Sequence, residues 1–220
     1  MIKISWKYAI GEILIVIIGV SIAFGLSSWG DSRKEANLRH QYLQNLQNDI
    51  EDEIEHLTEN KEKLKTHIAS SAQLLPYLGN PTPRRDTMIR KAFSLVEVIN
   101  FIPNTTTYRT LTNSGHLSLI GSLDLRQKIE AHYNNHALVQ QAYDRQIKIH
   151  ERYMGDFFIY NLDYDKIYKG DTGFMDMPVY KNIIQSLNGA FKMAVKASDK
   201  GIASNETLLK SVRTELSKQH

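Results

Sequence analysis

Residues 31–75 read DSRKEANLRHQYLQNLQNDIEDEIEHLTENKEKLKTHIASSAQLL, a stretch with neither proline nor glycine in which apolar residues return at helical spacing. Leu43, Ile50, Leu57 and Leu64 stand seven apart, and Leu46, Ile54 and Ile68 fill the neighbouring stripe. One face of a single long helix therefore has to be covered by apolar side chains. The opposite face holds Asp49, Glu51, Asp52, Glu53, Glu55, Glu59 and Glu62 and reads as a solvated acidic surface. A two-stranded coiled coil is disfavoured, because Glu53, Asn60 and His67 occupy the positions that would complete the seam. The stripe predicts a helix packed against other helices of a bundle.

Immediately before this helix, residues 8–29 read YAIGEILIVIIGVSIAFGLSSW. A helix of that length covers roughly 33 Å, enough to cross a hydrocarbon core of about 30 Å. Trp6, Tyr8 and Trp29 stand where interfacial aromatics anchor the two ends of a span. A cleavable secretory signal is the alternative, with Lys3 and Lys7 as its basic start and Ala23-Phe24-Gly25 as its small residues. The length of the run, its aromatic brackets and the charge of Glu12 favour a retained anchor. Glu12, Val16, Gly19 and Ala23 share one face, and the small pair Gly19 and Ala23 would let a second helix approach closely. That face is the expected helix–helix interface in the membrane.

In the other direction, three prolines and a glycine between Pro76 and Pro83 break the helix. A second helix is expected over 85–100, presenting Met88, Ile89, Ala92, Phe93, Val96 and Ile99. Thr105 to Thr107 offer N-caps for a short helix through Tyr108 and Leu111, which Ser114-Gly115 ends. Ser122 can cap a second long helix running towards Phe158, expected to lie antiparallel to the first. A polar loop follows over 161–177, and Pro178 restarts helical structure as far as Leu216, with a break near Asn188-Gly189. No alternating strand pattern occurs. The chain divides into an N-terminal tail and transmembrane anchor, 1–30, and an all-α bundle domain, 31–220.

The composition narrows the chemistry. With 27 basic and 24 acidic residues and no basic stripe, nucleic acid is not an expected partner. The absence of cysteine removes disulfides, thiolate catalysis and cysteine-ligated zinc.

Two segments resemble a family of small membrane-anchored proteins of unknown function from Bacteroidota-type Gram-negative bacteria. The first runs from Lys7 through YAIGEILIVIIGVSIAF to Trp29. The second is TTYRTLTNSGHLSLIGSLDLRQKIEAHYN, from Thr106 to Asn134. The chain departs from that pattern at Gly25 to Gly30 and at His132, where tyrosine is common in the family. The resemblance implies a retained anchor and a helical domain, and it implies no activity, substrate or catalytic residue.

Candidate chemistry is sparse. His132 and His136 are spaced i, i+4, a spacing that can present two imidazoles to one metal. No third ligand follows from spacing, although His116 and His150 are available, so the pair reads first as surface or capping histidines. Asp163, Asp165 and Asp171 resemble a calcium loop without its glycine and terminal glutamate. Tyr108, Leu111, Ser114, Gly115, Leu117 and Arg126 read as packing and turn residues, and Arg126 near a helix start calls for a carboxylate partner. No Ser-His-Asp ordering, phosphate loop or carboxylate pair appears, so no catalytic residue and no cofactor are expected, and the chain is not read as an enzyme.

The expected protein is a single-pass membrane-anchored helical interaction or scaffold module. Its partners are membrane lipid and either a second copy or another membrane protein. The alternative is a sensory or ligand-binding extracytoplasmic helical domain; a membrane-tethered metal-dependent enzyme rests only on the histidine pair. Lys3 and Lys7 precede the span while Arg33, Lys34 and Arg39 follow it. A short basic N-terminus ahead of a first span usually stays inside, which predicts an inner-membrane protein with a periplasmic bundle.

Overall fold

The computed structural model describes residues 6–218, apart from the side chains of residues 7–9. Among the described residues every regular element is helical. Helix α1, Trp6–Leu74, runs for 69 residues and passes through Gly30 without a break. At about 1.5 Å per residue it is roughly 100 Å long. Its N-terminal third is apolar and exposed, long and apolar enough to cross a membrane. Residues 31–37 remain exposed, and from Leu43 onward the stripe Leu43, Leu46, Ile50, Leu57, Leu64 and Leu74 is buried.

Two further helices complete the frame: α4, Leu123–Ile149, and α7, Pro178–Ser217. Helix α7 runs antiparallel to α1, since Arg213 meets Glu51, Asn205 meets Glu53, Asp199 meets Lys61 and Asn188 meets Ser71. It is antiparallel to α4 as well, through Ser204 with His132 and Ser198 with Tyr143. Helices α1 and α4 are therefore parallel, which corrects the antiparallel expectation. The reason lies in the chain between them.

After a 3-10 turn at Leu75–Tyr77, helix α2 spans only Ile89–Ser94, preceded by a 3-10 turn at Arg85–Met88. The helix expected over 85–100 stops early because the chain turns and travels back along α1 towards its apolar N-terminal end. Its carbonyls find side chains of the long helices instead of helical N–H groups. His150 Nε2 bonds the Leu95 oxygen (2.8 Å), His67 Nε2 that of Glu97 (3.2 Å), Gln146 Nε2 that of Ile99, and Asn60 Nδ2 that of Asn100 (2.8 Å). Ile99 and Phe101 are buried between these polar contacts. A buried backbone must have such partners, and α1 and α4 supply them.

The return path ends at α3, Thr106–Asn113. None of Thr105 to Thr107 caps it by side chain; the Asp49 carboxylate of α1 accepts from Thr107 N (3.1 Å) and from Asn104 Nδ2 (3.1 Å). Gly115 follows with φ of 73°, the left-handed conformation expected of it. A 3-10 turn at His116–Leu119 leads to Ser122, whose Oγ accepts from Leu125 N (3.2 Å) and caps α4 as predicted. Helix α4 continues through a π-turn at His150–Met154 into α5, Gly155–Asn161. The loop expected over 161–177 contains α6, Tyr164–Tyr168, capped by Asp163, and a 3-10 turn at Gly173–Asp176. Helix α7 has no break at Asn188-Gly189. Asn188 faces α1 and donates to Ser71 Oγ (2.5 Å), so a residue type common in turns is held inside a helix by a tertiary contact.

The core lies in two apolar clusters along the bundle. The one nearer the apolar N-terminal run contains Leu43, Leu46, Ile50, Leu111, Ile120, Leu125, Ile129, Tyr133, Leu208 and Val212. The farther one contains Leu57, Leu64, Leu95, Phe101, Tyr143, Phe157, Tyr180, Leu187 and Phe191. Between them sits a polar layer.

Candidate functional site

Glu53 stands on α1 between Ile50, which belongs to the nearer cluster, and Leu57, which belongs to the farther one. The acidic face of this helix was expected to be solvated throughout, and at Glu53 that expectation fails: the side chain is 3% exposed. Its register is that of the buried stripe, so bundle formation carries it inside. His132 and His136 arrive from α4 and are 5% and 6% exposed, interior residues rather than surface or capping ones. Asn205, fully buried, arrives from α7.

Their polar atoms converge. His136 Nε2 lies 3.0 Å from Glu53 Oε1 and 3.1 Å from His132 Nε2. Asn205 Nδ2 donates to Glu53 Oε1 (2.8 Å) and to the Gly201 carbonyl (3.0 Å), which fixes the orientation of its amide. Glu53 Oε2 accepts from Asn104 N (3.3 Å), and His132 Nδ1 contacts Ser204 Oγ (2.9 Å). Ligand-type atoms of Glu53, His132 and His136 all lie within 4.8 Å of one another.

Electrostatics hold this layer in a defined state. Burial works against the Glu53 carboxylate, yet the hydrogen bonds from His136 and Asn205 outweigh it, and its pKa falls below the ordinary carboxylate value. Burial and the neighbouring His136 push His132 down to about 4, so it is neutral at physiological pH. Tyr133, which stacks on Tyr108 with centroids 4.2 Å apart, is raised by burial and by the nearby carboxylates of Asp49 and Glu53.

The layer opens sideways into a groove of about 600 Å³ between α4 and α7. Leu138, Ala142, Met193 and Ala197 form its apolar wall, and Lys196 and Lys200 add positive charge. Gly201 is among the lining residues, and its missing side chain lets α7 approach Leu57 of α1 and Val139 of α4 closely. Chemically, the site offers two imidazole nitrogens and one carboxylate oxygen at the back of a small, partly apolar recess.

The remaining residues singled out in the sequence lie elsewhere. Glu12, Val16, Gly19 and Ala23 are exposed on α1, with open space around Gly19. Trp6 and Trp29 are exposed, and the Arg33 guanidinium sits 5.6 Å from the Trp29 ring; the Tyr8 side chain lies outside the described residues. Leu111 is buried in the nearer core with Tyr108 and Leu117 against it, while Ser114 and Gly115 form the turn that follows α3. Arg126 forms no ion pair among the described residues, so the carboxylate expected for it is not found. His116 contacts Tyr42 Oη (2.9 Å), and His150 serves the return segment, so neither completes the histidine pair. The acidic loop residues are engaged locally, Asp163 with Lys166 N and Asp171 with Gly173 N. Spacing alone missed Glu53, Ser204 and Asn205 as neighbours of the pair; a charge within the seam of α1 was the available signal for Glu53.

These features define an all-α three-helix bundle carried on an apolar N-terminal helix, with a carboxylate–histidine layer inside it. Residues 12–188 match a family of unknown function, DUF6090, and the chain belongs to that family. No curated protein and no solved structure matches it.

Proposed function

We propose that this chain is a single-pass inner-membrane protein whose bundle, on the periplasmic side, acts as an interaction or scaffold module and self-associates through its span. The continuity of α1 carries this reading. One helix supplies both the exposed apolar run and the buried stripe of the bundle, joined by the exposed residues 31–37, roughly 10 Å of helix. Such a joint fixes the height and rotation of the bundle relative to the bilayer, as a tethered docking surface requires. At the end remote from the span, Ile159, Tyr160 and Tyr168 are exposed, and aromatic side chains of this kind are enriched at protein interfaces. In the bilayer, the Glu12, Val16, Gly19 and Ala23 face is available to a second span.

Light scattering on the detergent-extracted full chain tests self-association: a dimer or larger species is expected, reduced to monomer by Gly19→Ile with Ala23→Ile. A monomeric wild type would remove that part of the reading. A reporter fused after His220 and active only in the cytoplasm would overturn the orientation. The groove between α4 and α7 favours a second reading, a ligand-binding extracytoplasmic domain, which predicts a monomer whose thermal midpoint rises with ligand.

A further inference from the structure

We propose that Glu53, His132 and His136 form a binding site for one divalent transition-metal ion of the zinc type. Proton accounting is the first reason. His136 Nε2 faces both Glu53 Oε1 and His132 Nε2 at hydrogen-bond distance, and a single N–H cannot be directed at both. If Nε2–H points at the carboxylate, the His132 contact is left without its own proton. Three electron-pair donors thus converge on one small volume that holds fewer protons than contacts, an arrangement that a cation satisfies.

The second reason is metric. Tetrahedral zinc with bonds of about 2.0–2.1 Å separates its ligand atoms by about 3.3 Å. Two of the three separations, 3.0 and 3.1 Å, fall within a few tenths of an ångström of that value, and the third pair, Glu53 with His132, lies within 4.8 Å, so side-chain rotation that draws these two together completes the geometry. The donor set is the third. Two imidazoles and one carboxylate suit zinc and its first-row neighbours, whereas magnesium and calcium prefer all-oxygen shells.

The surroundings match a ligating centre at His132 and Glu53, while His136 Nδ1 is buried without a hydrogen-bond partner among the described residues. His132 Nδ1 can donate to Ser204 Oγ, which presents Nε2 with its lone pair towards the cluster, the outer hydrogen bond that metal-bound histidines commonly make. Asn205 holds the carboxylate in place, and its own Oδ1 is buried with no hydrogen-bond partner among the described residues. Three protein ligands leave a fourth position, and the recess between α4 and α7 gives that position access to water or a small ligand.

The test uses the full chain purified in detergent, stripped with EDTA and dialysed against micromolar Zn(II) or Co(II). One equivalent of metal per chain by elemental analysis is expected, with the visible absorption of four- or five-coordinate cobalt and a higher thermal midpoint. Glu53→Gln and His136→Gln should each lose at least 10-fold in affinity, and His56→Gln, on the exposed face of α1, should lose nothing. Where a ligand variant does not fold by circular dichroism, Ser204→Ala keeps all three ligands and is expected to weaken binding about 10-fold. Failure of the wild type to take up metal at these concentrations overturns the proposal. So does uptake that survives in folded His136→Gln, or in Ser204→Ala at full affinity where the ligand variants do not fold.

Discussion

Gly201 of α7 meets Leu57 of α1 so closely that a Cβ added to the glycine would lie 2.9 Å from Leu57 Cδ1, with Val139 Cγ2 of α4 at 3.5 Å. The three long helices come together at this point, beside the polar layer. Alanine would favour the helix by about 0.8–1 kcal/mol, but overpacking against the fully buried Leu57 costs about 1–3 kcal/mol. Gly201→Ala should destabilise the bundle by about 1 kcal/mol in urea denaturation. The loss should shrink or reverse in a Leu57→Val background, where the clashing methyl is gone. Gly189, on the exposed side of the same helix with nothing within 4 Å, should respond oppositely, Gly189→Ala gaining up to about 1 kcal/mol.

Gln146 is fully buried, and its amide donates to the Ile99 carbonyl of the return segment. Gln146→Leu leaves that carbonyl buried without a donor, at a cost of about 1–3 kcal/mol. Hydrogen exchange should rise selectively over residues 95–104 before it rises in the long helices. Equal acceleration everywhere would mean that the segment is not held by this contact.

Asp49 takes the role that the threonines before α3 do not fill. Asp49→Ala should cost about 1 kcal/mol by removing the acceptor for Thr107 N, and Asp49→Asn should cost less because an amide oxygen still accepts. Chemical denaturation of the two variants measures the difference.

His67 is buried against Phe191, with ring centroids 5.2 Å apart. Burial lowers its pKa, although the Glu97 carbonyl hydrogen bond partly opposes the shift. The unfolded chain therefore takes up a proton near pH 6.5 that the folded chain resists, so the unfolded state binds more protons below that pH. The His67 contribution is complete above about pH 6.5 and is lost as pH falls towards the depressed folded value. The thermal midpoint of wild type should drop between pH 7 and 5.5, and His67→Gln should show a shallower drop over the same interval.

Much of the architecture was legible in the primary structure because helical order is local. Leu43, Ile50, Leu57 and Leu64 report a buried stripe, Ser122 reports a cap, Gly115 reports a left-handed turn, and the run from Tyr8 to Trp29 reports an apolar helix. Each depends on residues within a turn or two of itself. The failures share the opposite property. Helix α2 ends at Ser94 because side chains 30 to 55 positions away take the carbonyls that a longer helix would have used internally. Asn188-Gly189 stays helical because Ser71 meets it from another helix.

The sequence by itself determined that this chain is helical, that its first helix is apolar enough for a membrane, and that a stripe along residues 43–74 must be covered. Only the tertiary structure decided that α1 and α4 run parallel, that Glu53 leaves the acidic face for the interior, and that it meets His132 and His136 there. The physical reason is range: periodicity and capping act over a few residues along one helix. The meeting of one carboxylate with two imidazoles depends on the register of α1, α4 and α7, which the return segment, the Gly201 contact and the two apolar clusters set together.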